Sequence, residues 1–186
     1  MMESSSKPIP NIILLEEKKL IGLSRAVSLN DNETGMLWKS FMQRRSAITN
    51  ANGPELYSIS VYPHLYFESF DPGVQFTKWA TVAVTSYDDL PTHMDTYILQ
   101  SGLYAVFNYK GSSTDNSIFR YIFSTWLPQS GYDLDDRPHF EILGEKYKNN
   151  DPHSEEMICI PVKLKKNDGR LLYVNNKTKH TGLLSD

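Results

Sequence analysis

The sequence predicts an α+β fold: duplicated βαββ modules, each an antiparallel sheet with one helix packed on it, and a central cleft between the two halves. Three observations carry that expectation. Segments of strand and helix character follow one another as strand, helix, strand, strand, and that order occurs twice. Each helical segment has an apolar stripe on one side only, which requires a sheet face to cover it. Composition supplies the core, with 40% hydrophobic residues among 186, including 8 Phe, 11 Tyr and 3 Trp. A chain of this size needs no disulfide or metal to hold it together.

The first half is expected over residues 11–86, after a flexible leader at 1–10 that carries serines and prolines. Ile12–Ser28 is rich in Ile, Leu and Val, and reads as one long strand or a strand with a bulge. Asn30–Thr34 offers N-cap residues for a helix from Gly35 to Ile48, with Leu37, Phe41 and Ile48 near one face. Asn50–Pro54 ends it. In Glu55–Tyr62, Leu56, Ser58, Ser60 and Tyr62 alternate with Tyr57, Ile59 and Val61. Asp71-Pro72-Gly73 marks a turn, and Phe76–Ser86 is the next strand.

Asp88–Met94 joins this half to the second, expected over residues 94–165. Asp95–Tyr109 is strand-like around Gly102. Gly111-Ser112-Ser113 leads into a helix with Ile118, Ile122 and Trp126 at i, i+4 and i+8, the serines capping it with Asp115 or Asn116 in its first turn. Pro128 closes the helix. Phe140–Tyr147 and Met157–Leu164 are the last strands, and residues 166–186 form a polar C-terminal tail.

Composition excludes several classes of function. Nineteen Lys and Arg against 22 Asp and Glu give a net charge of −3, and no basic block exceeds Lys163–Lys166, so direct nucleic-acid binding is not expected. The single Cys159 excludes a disulfide framework and a multi-cysteine zinc site, and His64, His93, His139, His153 and His180 include no i, i+4 pair, so no metal is expected. Gly111-Ser112-Ser113 lacks the length and lysine of a phosphate loop, and no nucleophile elbow marks a catalytic serine; no cofactor is expected either. No secretory signal and no run of 18 apolar residues point to the cytoplasm, away from a membrane.

The second half carries four linked motifs: Gly102-Leu103-Tyr104-Ala105-Val106-Phe107 with Lys110-Gly111, Trp126–Tyr132, Asp136–Glu141, and Ile158–Val162. In that order they resemble the GyrI-like small-molecule-binding family, the effector-binding domains of bacterial transcription activators. The resemblance spans roughly Asn11–Lys165. It implies a duplicated βαββ fold with a central pocket for lipophilic, often cationic compounds. With no helix pair before Asn11, the chain resembles the free-standing kind, monomer or homodimer. Leu143 and Cys159 stand where the family often has aromatic residues.

Glu141 becomes the leading site residue through the motif match, since a carboxylate facing an aromatic cleft attracts cations. By alternation Glu141, Leu143 and Glu145 share a face, while Phe140 and Ile142 face the helix. Glu145 is the second carboxylate. Tyr57 and Tyr104, with Trp79 and Trp126, are the candidate stacking rings, although Trp79, Trp126 and Tyr62 also suit a core. His139 is expected at the surface because Pro138 precedes it, and Cys159 as an inert core thiol. The expected function is a cytoplasmic domain that binds or sequesters lipophilic, cationic or polycyclic compounds. Two alternatives stand beside it. One is a cofactor-independent hydrolase of strained cyclopropyl-type toxins, with Glu141 as its catalytic carboxylate. The other is a protein–protein regulator of a topoisomerase.

Overall fold

The β-branched and leucine-rich start of the chain forms two strands in one ribbon, β1 (Asn11–Leu15) and β2 (Lys18–Val27), interrupted at the charged pair Glu16-Glu17. This computed structural model describes residues 8–69 and 71–166. The tail from residue 167 and most of the leader lie outside the described residues. Helix α1 (Thr34–Met42) follows, its first N–H accepted by the Asn32 side chain, and a 3₁₀ turn at Arg45–Ala47 extends it. Strand β3 (Ala51–Val61) starts earlier than alternation suggests, since Ala51 pairs with Val84 ahead of an irregular step to Leu56. Then come β4 (Phe76–Val84), β5 (Asp95–Leu99) and β6 (Gly102–Lys110).

Helix α2 (Ser117–Tyr121) is opened by Asp115, whose carboxylate accepts the Ser117 N–H at 2.8 Å. Ser113 does not cap it; its hydroxyl donates to Asn149 or Asn150 across the loop. The helix passes through a π turn (Ile122–Trp126) into α3 (Leu127–Gln129). Pro128 therefore does not stop it. Proline occupies an early position of this last turn, where a missing N–H costs little. A short strand with no counterpart in the sequence reading, β7 (Tyr132–Leu134), precedes β8 (His139–Leu143) and β9 (Glu155–Leu164). β8 ends four residues before Tyr147, the limit the sequence suggested, because Gly144–Tyr147 turns.

The strands pair antiparallel in the order β1-β6-β9-β8-β3-β4-β2-β5, with β7 on the end of β9. Each half contributes three consecutive neighbours, β2-β4-β3 and β6-β9-β8, and β3 against β8 joins them. The leading strands are exchanged: β1 pairs with β6 of the second half, and β5 with β2 of the first. Leu15 opposes Gly102 and Lys18 opposes Leu99, so one register runs across the break at residues 16–17. The two ends of the strand order are thus tied together, and the sheet curls.

That curl produces three cores. A central cluster gathers Leu15, Leu20, Tyr57, Ile59, Leu99, Tyr104, Phe140 and Cys159 from strands at both ends and the middle of the order. On the other face α1 buries Leu37 and Phe41 against Ile21, Ala80 and Val82. The second helical segment buries Ile118 and Ile122 against Ala105, Phe107, Ile158 and Ile160. Phe140 and Ile142 consequently face the central cluster, not the helix as alternation alone suggested. Of the described residues, no helix is long and apolar enough to cross a membrane.

The second-half motif around Asp136-Arg137-Pro138 has a structural use. Arg137 donates to the carbonyls of Leu103 (2.7 Å) and Val162 (3.2 Å), binds Asp135 at 2.7 Å, and lies over the Tyr104 ring at 4.6 Å. Gly102 is required beneath it. Its φ is +150°, and a Cβ there would collide with the Arg137 guanidinium.

Candidate functional site

Helix α1 covers β2 and β4, and the second helical segment covers β6 and β9. The middle strands β3 and β8 therefore lie in a seam between the helices. Their residues on this face are Ser58 and Ser60 on β3, and His139, Glu141 and Leu143 on β8, with Lys78 of β4 and Glu156 of β9 alongside. Small and polar side chains stand here, between the residues that α1 and the second helical segment bury. Ser58, Ser60, Lys78 and His139 are nonetheless buried.

Cross-strand register places the charges. Ser60 opposes both Lys78 and His139, and Ser58 opposes Glu141. Lys78 reaches diagonally over β3 and donates to Glu141 Oε2 at 3.1 Å and Ser60 Oγ at 2.9 Å. The two charged side chains are 10% and 18% exposed, so the pair is largely removed from water. Glu156 shares the face. Burial, then the Glu141 carboxylate, raises its pKa to about 7, with Lys78 opposing. Burial, then the Lys78 cation, lowers His139 to about 3, so its imidazole is neutral. Burial also raises Tyr62 and Tyr147, and the Glu141 carboxylate adds to both.

Rings close one end of the seam. The β3–β4 connection brings Tyr62, Tyr66 and Phe67 over it, and Phe67 bridges the halves. Its ring lies 4.9 Å from His139 at 3° and 5.4 Å from Phe123 of the π turn at 21°. Tyr62 packs on Tyr66, Phe76 and His139 at 4.6–5.0 Å. Among the described residues, the buried Tyr66 hydroxyl has no hydrogen-bond partner. Such an atom is one that a polar ligand group would satisfy.

The residues singled out from sequence separate between faces. Glu141 lies in the seam. Tyr57 and Tyr104 do not join it: both are buried in the central cluster, Tyr57 beside Phe140 at 6.3 Å and Tyr104 beside it at 5.1 Å. Tyr104 also donates to the Pro138 carbonyl, and burial raises its pKa to about 12 against the pull of Arg137. Trp79 is on the central face with Tyr97 at 5.0 Å. Trp126 packs edge-on to Phe107 at 5.1 Å within the second helix core. Glu145 is exposed on the turn after β8 and lines an open depression of about 430 Å³ together with Ile142, Glu156 and Met157. The reason is parity. Tyr57 and Tyr104 sit at positions that face away from the helices, and Glu141 at one that faces them.

His139 is a second correction. It begins β8 and is buried and stacked, not at the surface; Pro138 precedes the ladder, where its missing N–H is tolerated. Lys78, Glu156, Phe67, Phe123 and Tyr147 were not singled out from sequence. Only Lys78 left a visible signal, a lone cation within the strand Phe76–Ser86.

Known proteins resemble this chain over nearly the whole fold. The sequence profile of the family described as "GyrI-like small molecule binding domain" matches residues 9–163. No curated protein matches the chain by sequence. Among solved structures, SAV2435 bound to tetraphenylphosphonium is 14% identical, covering 83% of this chain and 93% of its own, with a TM-score of 0.62. The EcmrR C-terminal domain is 12% identical, with 84% and 98% covered and a TM-score of 0.64. A hydrolase encoded by lin2189 from Listeria innocua is 13% identical, with 86% and 94% covered and a TM-score of 0.56.

Proposed function

Because the chain belongs to the GyrI-like small-molecule-binding family, we propose that it takes up a lipophilic, ring-bearing compound in the seam between its helices. One observation carries this reading: a largely buried polar pair, Lys78–Glu141, lies beneath a cap of aromatic rings on the strands between the two helical segments. Rings of a polycyclic ligand would stack on Phe123, His139 and Tyr62 as Phe67 now does, and gain from leaving water. Lys78 and Glu141 would fix its orientation through one or two hydrogen bonds. Aryl rings like those of the tetraphenylphosphonium bound by SAV2435 have the right surface for this end of the seam.

The neutral fluorescent polycycle Nile red tests the location. One molecule per chain should bind, and Phe123→Ala should weaken it about tenfold, the effect of one lost stacking contact with its buried area. Trp79→Phe, on the opposite face, should change affinity little. Equal affinities for wild type and Phe123→Ala would remove the seam as the site.

A second reading is hydrolysis of a strained electrophilic ring in the same seam. The observation favouring it is a second carboxyl group on the same face, Glu156, which burial and then the Glu141 carboxylate raise to a pKa of about 7. A half-buried carboxyl group of raised pKa suits general acid or base work. Turnover separates the readings: a binder protects an equimolar amount of a cyclopropyl-bearing electrophile, whereas an enzyme consumes an excess.

A further inference from the structure

Glu141, the carboxylate that a cationic ligand would meet, already has a cation. Lys78 comes from β4, the strand beyond β3, and crosses the Ser58–Ser60 stretch to reach it at 3.1 Å. The small side chain of Ser60 leaves the path open and takes a second Lys78 hydrogen bond at 2.9 Å. Burial of the Lys78 side chain to 10% exposure fixes it there, since leaving Glu141 would strand both charges away from water. The other titratable groups facing this pair are His139, Glu156, Tyr62 and Tyr147. His139 and the two tyrosines are neutral near neutral pH, and Glu156 is half protonated at about pH 7. The paired charges cancel, so the floor of the seam offers no net anion apart from the ionised fraction of Glu156.

We propose that Lys78 is the specificity-determining residue of this site, a built-in counter-ion that occupies the place of a ligand cation and turns selection toward neutral aromatic compounds bearing a hydrogen-bond acceptor. An ammonium has three N–H bonds. Among the described residues its hydrogen bonds go to Glu141 and Ser60, which leaves one N–H for an acceptor on the ligand. A neutral ligand uses that N–H and keeps the ion pair whole. A cationic ligand meets the ammonium at close range in a medium of low dielectric, where like charges repel strongly, or displaces it and leaves it unpaired. This inference rests on the seam being the binding site.

A near-isosteric pair of probes reads the charge preference directly: triphenylphosphine oxide, neutral with a strong acceptor oxygen, and methyltriphenylphosphonium, cationic with none. Calorimetric titration of the wild type should show the oxide binding about tenfold or more tightly than the cation. Lys78→Met removes the counter-ion and keeps the length, so the order should reverse, with the cation gaining about tenfold. Adding Glu141→Gln to Lys78→Met should abolish that gain. Circular dichroism checks the fold of each variant, and Lys78→Gln, which retains a partner for Ser60, serves if Lys78→Met does not fold. A wild type that prefers the cation, or a ratio that the Lys78 variants leave unchanged while the oxide still binds, overturns the role of Lys78 and spares the seam. Binding of neither probe to any form would defeat the seam itself.

Discussion

His139 is buried and Glu156 half-buried in the same seam, and their pKa values are shifted in opposite directions, which makes pH a direct probe of it. The folded chain holds a proton on Glu156 up to about pH 7, whereas an ordinary carboxyl releases it near 4.5. Folding therefore takes up a proton across that window, and stability falls as pH rises from about 4.5 through 7. Glu156 keeps some contact with solvent, so the loss is discounted to roughly 1–2 kcal/mol. Comparing the wild type with Glu156→Gln by urea unfolding cancels the His139 contribution, and the wild type should lose this much relative to the variant between pH 4.5 and 8. Parallel profiles would mean that Glu156 is solvated. His139 works on the acid side, since its folded pKa of about 3 lies below the usual 6.5. Its stabilising contribution is complete above pH 6.5 and is lost as pH falls toward 3, so stability should peak between about pH 5 and 6.5.

The element that distinguishes the seam is the β3–β4 connection. Strand β3 ends at Val61, and the chain then spends residues 62–69 laying rings over β8 and the π turn. Phe67 is 40% exposed, yet it is the ring that links the first-half connection to Phe123 of the second-half helix. Phe67→Ala should lower stability by about 1–2 kcal/mol, because a half-exposed ring buries less than a core ring. Its more telling effect should be local. Amide exchange at His139–Glu141 should accelerate in the variant while the central strands β6 and β9 stay protected, as expected of a region opened below the global unfolding energy. Unchanged exchange at β8 would show that the rings do not close the seam. Ile122→Ala in the π turn is the contrasting case. That side chain is fully buried in the second helix core, and its truncation should cost about 2–5 kcal/mol, read from the denaturation midpoint.

At the scale of the whole molecule, the exchange of leading strands governs cooperativity. β1 belongs to the first half and completes the sheet of the second, while β5 does the reverse. Neither half has its full set of neighbours alone, and the central cluster draws residues from both. Unfolding should therefore be one transition despite the internal duplication. Trp38 on α1, Trp126 beside Phe107 and the far-ultraviolet signal of the strands should report the same urea midpoint. Two separated midpoints would show halves that fold independently. Arg137 belongs to this scale as well, since it ties the ends of β6 and β9 to the loop before β8. Arg137→Lys keeps the charge and loses the fork that reaches two carbonyls and Asp135, so about 1–3 kcal/mol should go, measured by the same titration.

The order of elements, the two amphipathic helices and the strand alternation were legible in the sequence, because each follows from local periodicity: Leu37 and Phe41 recur at helical spacing, and Tyr57, Ile59 and Val61 at strand spacing. The motif carrying Glu141 likewise pointed to a residue that the fold brings into the seam. Periodicity separates the two faces of a strand but does not say which one meets a helix. That is why Phe140 and Ile142 were assigned to the helix, and why Tyr57 and Tyr104 were placed with Glu141 when they lie on the face away from it. Lys78, 63 residues before its partner, and Phe67, 72 residues before His139, act through contacts between distant segments. Only the pairing of β3 between β4 and β8 brings Lys78 to Glu141, and only the curl of the sheet encloses the central cluster. Local residue preferences determined which elements form; the non-local strand register, a property of the assembled sheet, decided which side chains meet.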